Sequence, residues 1–589
     1  MAFSPVFVPS PCWRYKAHSE TMDTNLVTQN LAEDEMLRVQ DLCIEAVRGG
    51  LVASTPVKGV SFHVPTKQVT AIVGESGSGK TLTALAIMGL LPRDELRAAA
   101  NSRIYFRGRD LLRVPSTEIN GLRGKQLAMV LQEPGSSLNP VLSIGDQIAL
   151  PLRHHLGMTR RQAWTRAEEL LHEVGIPSPQ RSTRLYPHEL SGGQQQRVTI
   201  AMAIACAPQL IIVDEPTSAL DVTVQRQILD LFARLKRDHD MTLLFITHDL
   251  AIVAEIADRV VVFQHGIVKE QGEKARVLFS PTDDYTRALI ASRSRLRKAN
   301  KEQDPPASTS GYSDKRATTQ GQAEELPALL DVRRLSKSFV TRDGLWKKSS
   351  IAAIRNVSFS LRQGETLGIV GESGSGKTTV AMTITRLIEA SGGEVLLEGK
   401  DILALSAREF RDLRRRIQLV FQNPYASLNP QWPIRKTLTG PMELHRLGRD
   451  AADRDQRSGR ILEMVGMERG ALSKFPHQFS GGERQRIAIA RALAVQPEIL
   501  ICDEAVSALD VTIQVQVMDL LRDLQRELGL AYLFISHDLT AIRYMTDRLL
   551  VMRSGEVVEE GKTASIFEAP SHQYTTELLA AEPRVAGWL

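Results

Sequence analysis

The octapeptide GESGSGKT occupies residues 74–81 and recurs, letter for letter, at residues 371–378. A short β-branched run precedes each copy, VTAIV in the first and TLGIV in the second, and a helix-compatible stretch follows, LTALAIMGLL and TVAMTITRLI. Strand, glycine-rich loop and helix together are the setting of a phosphate-binding loop. The glycines let backbone N–H groups close around phosphate oxygens at a helix N-terminus. Lys80 and Lys377 then reach the β- and γ-phosphates, and the hydroxyls of Thr81 and Thr378 are suited to Mg²⁺.

Working outward, the rest of the chain repeats with the loop. Lys80 and Lys377 are 297 residues apart; LSGGQ at Leu190 and FSGGE at Phe479 are 289 apart. The pairs Asp214-Glu215 and Asp503-Glu504 keep the 289 spacing, as do His248 with His537 and Tyr285 with Tyr574. A repeat of this size is a duplicated domain. Between the copies, residues 292–325 are rich in Ser, Thr, Gly, Gln and charge and poor in large apolar side chains. Such a segment cannot bury a core and is expected to be a flexible tether. The expected organisation is a flexible extension at 1–36, a first domain at 37–291, the tether at 292–325, a second domain at 326–579 and a tail at 580–589.

Composition agrees with this division. A chain of 589 residues with 43% hydrophobic content can bury two cores. The net charge of +5, from 73 basic and 68 acidic residues, is too small to suggest a nucleic-acid coat or a polybasic anchor. Cys12, Cys43, Cys206 and Cys502 show no metal or redox spacing and read as ordinary thiols of a reducing compartment. A membrane span needs about 20 mainly apolar residues. The longest charge-free apolar-rich stretch, residues 198–213, contains Thr199, Pro208 and Gln209 and reads as a helix end, a turn and a strand. The N-terminus has no apolar run behind a basic start, so no secretory signal is expected.

LIIVDE and ILICDE are apolar strands ending in two acids. Asp214 and Asp503, at the strand tips, stand where Mg²⁺ needs a hard oxygen ligand. Glu215 and Glu504 are placed to polarise an attacking water.

With these features assembled, the two halves resemble the ATP-binding subunits of the ABC superfamily across nearly all of residues 37–579. The resemblance is carried by both P-loops, the signatures LSGGQQQR (190–197) and FSGGERQR (479–486), the DE strands, the SALD loops ending at Asp221 and Asp510, the switch histidines His248 and His537, and the glutamines Gln132 and Gln422. It implies an α/β fold of two tandem P-loop NTPase domains, each with a RecA-like core, an antiparallel β subdomain and a helical subdomain, paired head to tail as a pseudo-dimer. ATP and Mg²⁺ are the implied cofactors.

In that family the signature of one domain closes over the nucleotide on the other. Ser191, Gly192, Gly193 and Gln194 would thus cap ATP held by Gly371, Gly374, Gly376, Lys377, Thr378 and Thr379. Ser480, Gly481, Gly482 and Glu483 would cap ATP held by Gly74, Gly77, Gly79, Lys80, Thr81 and Leu82, with Asp221 and Asp510 beside the nucleotides. The implied Mg²⁺ ligands are Thr81, Gln132 and Asp214 in one site and Thr378, Gln422 and Asp503 in the other. The implied catalytic residues are Glu215, Glu504, His248, His537, Gln132 and Gln422. Fusing the halves makes the pairing obligatory, because each raises the other's effective concentration.

Members of the family usually carry an aromatic near the domain start to stack on adenine. Phe339 in LSKSF fits; the aligned LCIEA offers only Ala46. The first site would bind ATP more weakly or borrow another side chain.

Finer details narrow the branch. QEPGSSLNP begins at Gln132 and QNPYASLNP at Gln422; YPHEL and FPHQF precede the signatures; PTDDYTRALI and PSHQYTTELL close the domains. These resemble the peptide, glutathione and nickel uptake branch, in which the helical lobe, here from residue 137 to about residue 187, receives a short helix from a membrane subunit. Tyr425 and Leu138 are candidates for that groove or for simple packing. The implied protein is the ATPase of an importer at the cytoplasmic face of the cell's inner membrane, partnered by two membrane-spanning permease subunits and, through them, a substrate-binding protein. No nucleic acid is expected. No iron-sulfur cluster is expected either, since no cysteine follows Tyr574 or lies in the tether. An exporter ATPase and a soluble twin-domain ATPase acting on ribosomes are the alternatives.

Overall fold

The computed structural model describes residues 34–298 and 328–583, apart from residues 93, 218–219, 344–346, 423–426 and 508. Most of the expected extension and tether, the end of the tail, Tyr425, and Ser218 and Ala219 of the first SALD loop lie outside the described residues.

Each half is built on a six-stranded sheet, as counted among the described residues. In the first half the strand order is Ile267–Glu273, Arg259–Gln264, Val69–Gly74, Thr242–Thr247, Leu210–Asp214, Leu127–Val130. The second half repeats it with Glu556–Lys562, Arg548–Arg553, Thr366–Val370, Ala531–Ile535, Ile499–Asp503 and Ile417–Val420. All pairings are parallel except the outermost one at the Ile267–Glu273 and Glu556–Lys562 edges. The P-loop strand VTAIVG and the strand LIIVD are buried at every position. Burial on both faces explains why these strands read as continuous apolar runs rather than alternating ones.

A second, antiparallel sheet is formed by the long hairpin Glu35–Arg48 with Leu51–Pro65, extended by Arg103–Phe106 and Arg109–Asp110. Leu330–Asp343 and Lys347–Leu361 form its counterpart with Gly392–Leu397 and Lys400–Asp401. The first sheet begins at Glu35, and Met36 is already buried in it.

The helical lobe of the first half contains Ile144–Leu156 and Arg160–Glu173. Ser143 accepts the N–H of Asp146 at the start of one helix, and Thr159 and Gln162 close a reciprocal capping box at the start of the other. Ile434–Leu444 and Ala451–Met464 form the second lobe.

One expectation is corrected. Residues 292–298 are not a tether but the last two turns of the helix Asp284–Lys298. This helix packs on Val511–Leu528 and Leu539–Met545 of the other half, with Leu296 fully buried in that half's core. The segment looked too polar to fold because its arginines find their carboxylates far away in sequence: Arg293 pairs with Asp249 at 3.3 Å and Arg295 with Asp519 at 3.4 Å. The tail likewise stays folded past residue 580, where Ala581 and Pro583 are buried.

Candidate nucleotide sites

Both P-loops curl around their own lysine. Lys80 Nζ donates to the carbonyls of Gly74 (2.8 Å) and Glu75 (2.7 Å), and Lys377 Nζ to those of Gly371 (2.8 Å) and Glu372 (2.9 Å). The helices Lys80–Ile87 and Lys377–Ile384 start at these lysines, so their unpaired first-turn N–H groups face the loop. Glycine is required where the loop enters the helix. Gly79 and Gly376 have φ of 95° and 102°, and a Cβ there would come within 2.8 Å of Val57 Cγ2 and 2.5 Å of the Ala353 carbonyl. Burial lowers both lysine pKa values despite the acids around them.

Asp214 and Asp503 end their strands as expected and are almost fully buried. Burial pushes each carboxyl up to about 6, opposed by Thr81 in one site and Thr378 in the other. Thr378 Oγ1 donates to Asp503 Oδ1 at 3.2 Å, whereas Asp214 Oδ1 is buried without a partner among the described residues. A buried acceptor oxygen beside a threonine hydroxyl and a P-loop lysine is a donor set that fits a hard divalent cation.

Glu215 and Glu504 follow, and both adopt left-handed backbone, φ 45° and 49°. This conformation is costly for a residue with a Cβ and turns the carboxylate off the strand direction. His248 Nδ1 lies 3.2 Å from Glu215, and Gln132 Nε2 donates to the same carboxylate at 3.1 Å. In the second site His537 Nδ1 is 3.2 Å from Glu504, and Gln422 Nε2 donates to it. Burial alone would lower the histidine pKa values; the glutamates outweigh it and hold both imidazoles above their ordinary value. The glutamates are lowered in turn, against their own burial.

The halves meet reciprocally. Asp221 of the first half accepts the backbone N–H of Ser373, within the second P-loop, at 3.4 Å. Leu220 and Asp221 line a cavity of about 380 Å³ with Lys377, Thr378, Gln422 and Glu504. Asp510 faces Lys80 and Glu75 in the opposite sense. Both aspartates also cap helices, Asp221 through Val224 N–H and Asp510 through Ile513 N–H. Ser373, Gly374, Gly376, Lys377, Thr378 and Thr379 line the second-site cavity; Gly371 and the signature residues do not. Ser191 and Ser480 are exposed N-caps of Gly192–Ile204 and Gly481–Leu493, each in a capping box with Gln194 or Glu483.

The hairpin register settles the Ala46 question. Ala46 pairs with Ser54 and Phe339 with Ile351, at matching steps of the two hairpins, so Ala46 does occupy the position of Phe339. Phe339 is 42% exposed, with Lys337 over its ring. One residue beside the loop escaped the sequence reading: Tyr574 Oη accepts the Glu372 N–H at 3.0 Å. Its recurrence as Tyr285 was the available signal, but nothing local revealed its target.

Comparison with known proteins agrees with this architecture. Residues 57–218 and 354–507 match the family model described as ABC transporter, and residues 558–589 match that of the oligopeptide/dipeptide transporter C-terminal region. The chain belongs to the ABC transporter family, as an ATP-binding and ATP-hydrolysing subunit of an import system. It is 43% identical over 539 residues to the glutathione import ATP-binding protein GsiA of Salmonella paratyphi A, covering 90% of this chain and 86% of that one. With the protein of the same name from Escherichia coli K12 it shares 44% over 544 residues, again 90% and 86% of the two chains. No helix among the described residues is long and apolar enough to cross a membrane. An import ATP-binding subunit of this family works with membrane permease partners.

Proposed function

We propose that this chain powers uptake of glutathione or a short peptide by hydrolysing ATP at two composite sites, docked on two permease subunits at the cytoplasmic face of the inner membrane and fed by a separate substrate-binding protein. The observation that carries the reading is the reciprocal seating of Asp221 and Asp510 beside the opposite P-loops. The names of the similar proteins supply the substrate class.

In this reading Lys80 and Lys377 leave their loop carbonyls for the β- and γ-phosphates, and the first-turn N–H groups bind the remaining phosphate oxygens. Thr81, Asp214 and Gln132 would hold Mg²⁺ in one site, and Thr378, Asp503 and Gln422 in the other. When bound there, Mg²⁺ would supply neutralisation of phosphate charge. Glu215 and Glu504 orient and polarise the attacking water, while His248 and His537, whose pKa values those glutamates raise, hold the γ-phosphate as charge moves. Ser191, Gly193, Ser480 and Gly482 complete the sites when the halves draw together. Closure follows from ATP binding the closed arrangement better than the open one.

The helical lobes offer the docking face. Val141 and Leu150 are 76% and 61% exposed in the first lobe and Leu444 is 69% exposed in the second, with Trp432 also exposed. An apolar helix face of a permease would cover such residues.

Purification of the tagged chain from its host in mild detergent, followed by reconstitution, tests the reading. Two multi-span proteins should accompany it, and a binding protein loaded with glutathione or a short peptide should stimulate its ATPase. Ribosomal proteins in place of membrane proteins would sink it, and substrate movement outward would assign an exporter.

A further inference from the structure

The helix Asp284–Lys298 carries the first half's chain into the second half and delivers Arg293 to the seam between them. Arg293, Asp249, Asp538 and Glu582 line one small cavity there, about 90 Å³, with Thr540 beside them. Arg293 is 3.3 Å from Asp249, and Thr540 Oγ1 donates to Glu582 at 2.9 Å. Asp249 and Asp538 are themselves anchored. Asp249 caps Leu250–Ile256 through Ala251 N–H at 2.8 Å; Asp538 caps Leu539–Met545 through Thr540 N–H at 2.8 Å and accepts Gln514 Nε2 at 2.9 Å. Each directly follows a switch histidine, His248 or His537, and each histidine is 3.2 Å from its glutamate.

Arg293 and Glu582 are 289 residues apart, the spacing that relates Tyr285 to Tyr574. They are one position of the repeat, seen twice. In a pair of identical subunits, a residue near the two-fold axis faces its own copy. Two arginines there would repel, and two glutamates would add to the acids already present as Asp249 and Asp538. The fused chain instead sets a cation against a carboxylate. Arg293 keeps its ion pair with Asp249 of its own half and faces Asp538 and Glu582 of the other half across the cavity, so those two carboxylates add to its pairing only while the halves hold this register.

We propose that Arg293 and Glu582 form a charge-complementary pin near the pseudo-two-fold axis. Arg293 is a positioning residue there: it ties the Asp249-His248-Glu215 arm of one ATP site to the Asp538-His537-Glu504 arm of the other, so that the two sites close together. This rests on the reading of Glu215 and Glu504 as residues that act on ATP. Because Asp249 and Asp538 flank the pin from both halves, exchanging the two charges preserves the arrangement. A route of contacts is not by itself evidence of coupling, and the exchange supplies the missing test.

The experiment measures ATPase rate against ATP concentration for the full chain, wild type, Arg293→Glu, Glu582→Arg and the combined exchange, with a melting curve for each. Wild type is expected to respond sigmoidally. Each single reversal is expected to make the response hyperbolic and to lower turnover about tenfold, a usual size for coupling between sites. The combined exchange should recover sigmoidal dependence and turnover within about twofold, as residues coupled through one charge network do. Arg293→Met, which keeps the apolar stem and removes the charge, serves if Arg293→Glu does not fold. It should fold and respond hyperbolically. A combined exchange no better than the worse single change, with melting unaltered, would overturn the inference, as would sigmoidal behaviour in Arg293→Met. Wild type that hydrolyses ATP without cooperativity overturns the pin alone; wild type that does not hydrolyse ATP overturns the functional reading with it.

Discussion

The hydroxyl of Tyr574 accepts a 3.0 Å hydrogen bond from the backbone N–H of Glu372, 202 residues earlier and inside the second P-loop. In the first half the equivalent Tyr285 hydroxyl is buried facing Glu75 but closes no hydrogen bond of ordinary geometry. The C-terminal turn therefore braces one phosphate loop with a well-formed hydrogen bond and approaches the other more loosely, through the Tyr285 hydroxyl beside Glu75. Tyr574→Phe should raise the KM for ATP by roughly two- to tenfold, the worth of one hydrogen bond, with little change in melting temperature. Tyr285→Phe should leave KM nearly unchanged. Equal effects of the two substitutions would refute the asymmetry.

Glu215→Gln combined with Glu504→Gln should keep ATP binding and stop turnover. Removing a group that orients or takes a proton from the reacting water typically costs about 10² to 10⁴ in rate. Filter binding of labelled ATP beside phosphate release checks both halves of the statement. Phosphate release at the wild-type rate would remove the glutamates from the reaction.

Ala46 and Phe339 occupy matching places in their hairpins, so the two sites are expected to differ in nucleotide affinity. Stacking of a base on an aromatic ring is worth about 1–3 kcal/mol. Ala46→Phe should tighten the weaker site, and Phe339→Ala should loosen the tighter one, as read by two-site calorimetry with a non-hydrolysable ATP analogue. Lys377→Ala should then hurt activity more than Lys80→Ala at limiting ATP. Identical losses would mean that another side chain meets the adenine in the first site.

Asp214 and Asp503 carry carboxyls raised from 3.8 to about 6 by burial. A proton competes with a divalent cation for such a group. The Mg²⁺ concentration for half-maximal ATPase should therefore be flat above about pH 6 and rise below it, about tenfold for each pH unit per proton displaced. For folding, the folded chain holds these protons more tightly than the unfolded one. Stability contributed by these groups is thus greatest below 3.8 and falls as pH climbs to about 6. A Mg²⁺ requirement unchanged between about pH 5 and pH 7 would show that neither aspartate is a ligand.

Much of the site was legible because its information is local. VTAIV before GESGSGKT and LIIV before DE announce buried strands ending at chemistry, and parallel sheets bury such strands on both faces. What escaped depends on distant chain. The helix through Ser292 reads as a tether from sequence alone because Arg293 and Arg295 are partnered by Asp249 and Asp519, and Leu296 is buried by the second half. The left-handed backbone at Glu215 and Glu504 was invisible for a similar reason. Their N–H groups bond to Ile246 and Ile535 on the neighbouring strand, a tertiary constraint that overrides local preference.

The helix Asp284–Lys298 reaches across the seam before the described chain breaks off at residue 298. Its Leu296 and Arg295 are non-covalent adhesive supplied by the first half to the second. A nick placed between residues 299 and 327 would leave that adhesive whole. The two fragments, made as separate polypeptides, are expected to find each other and rebuild both sites, whereas a nick a few residues earlier, before Arg293, would take Arg295 and Leu296 away from the first fragment and weaken their association.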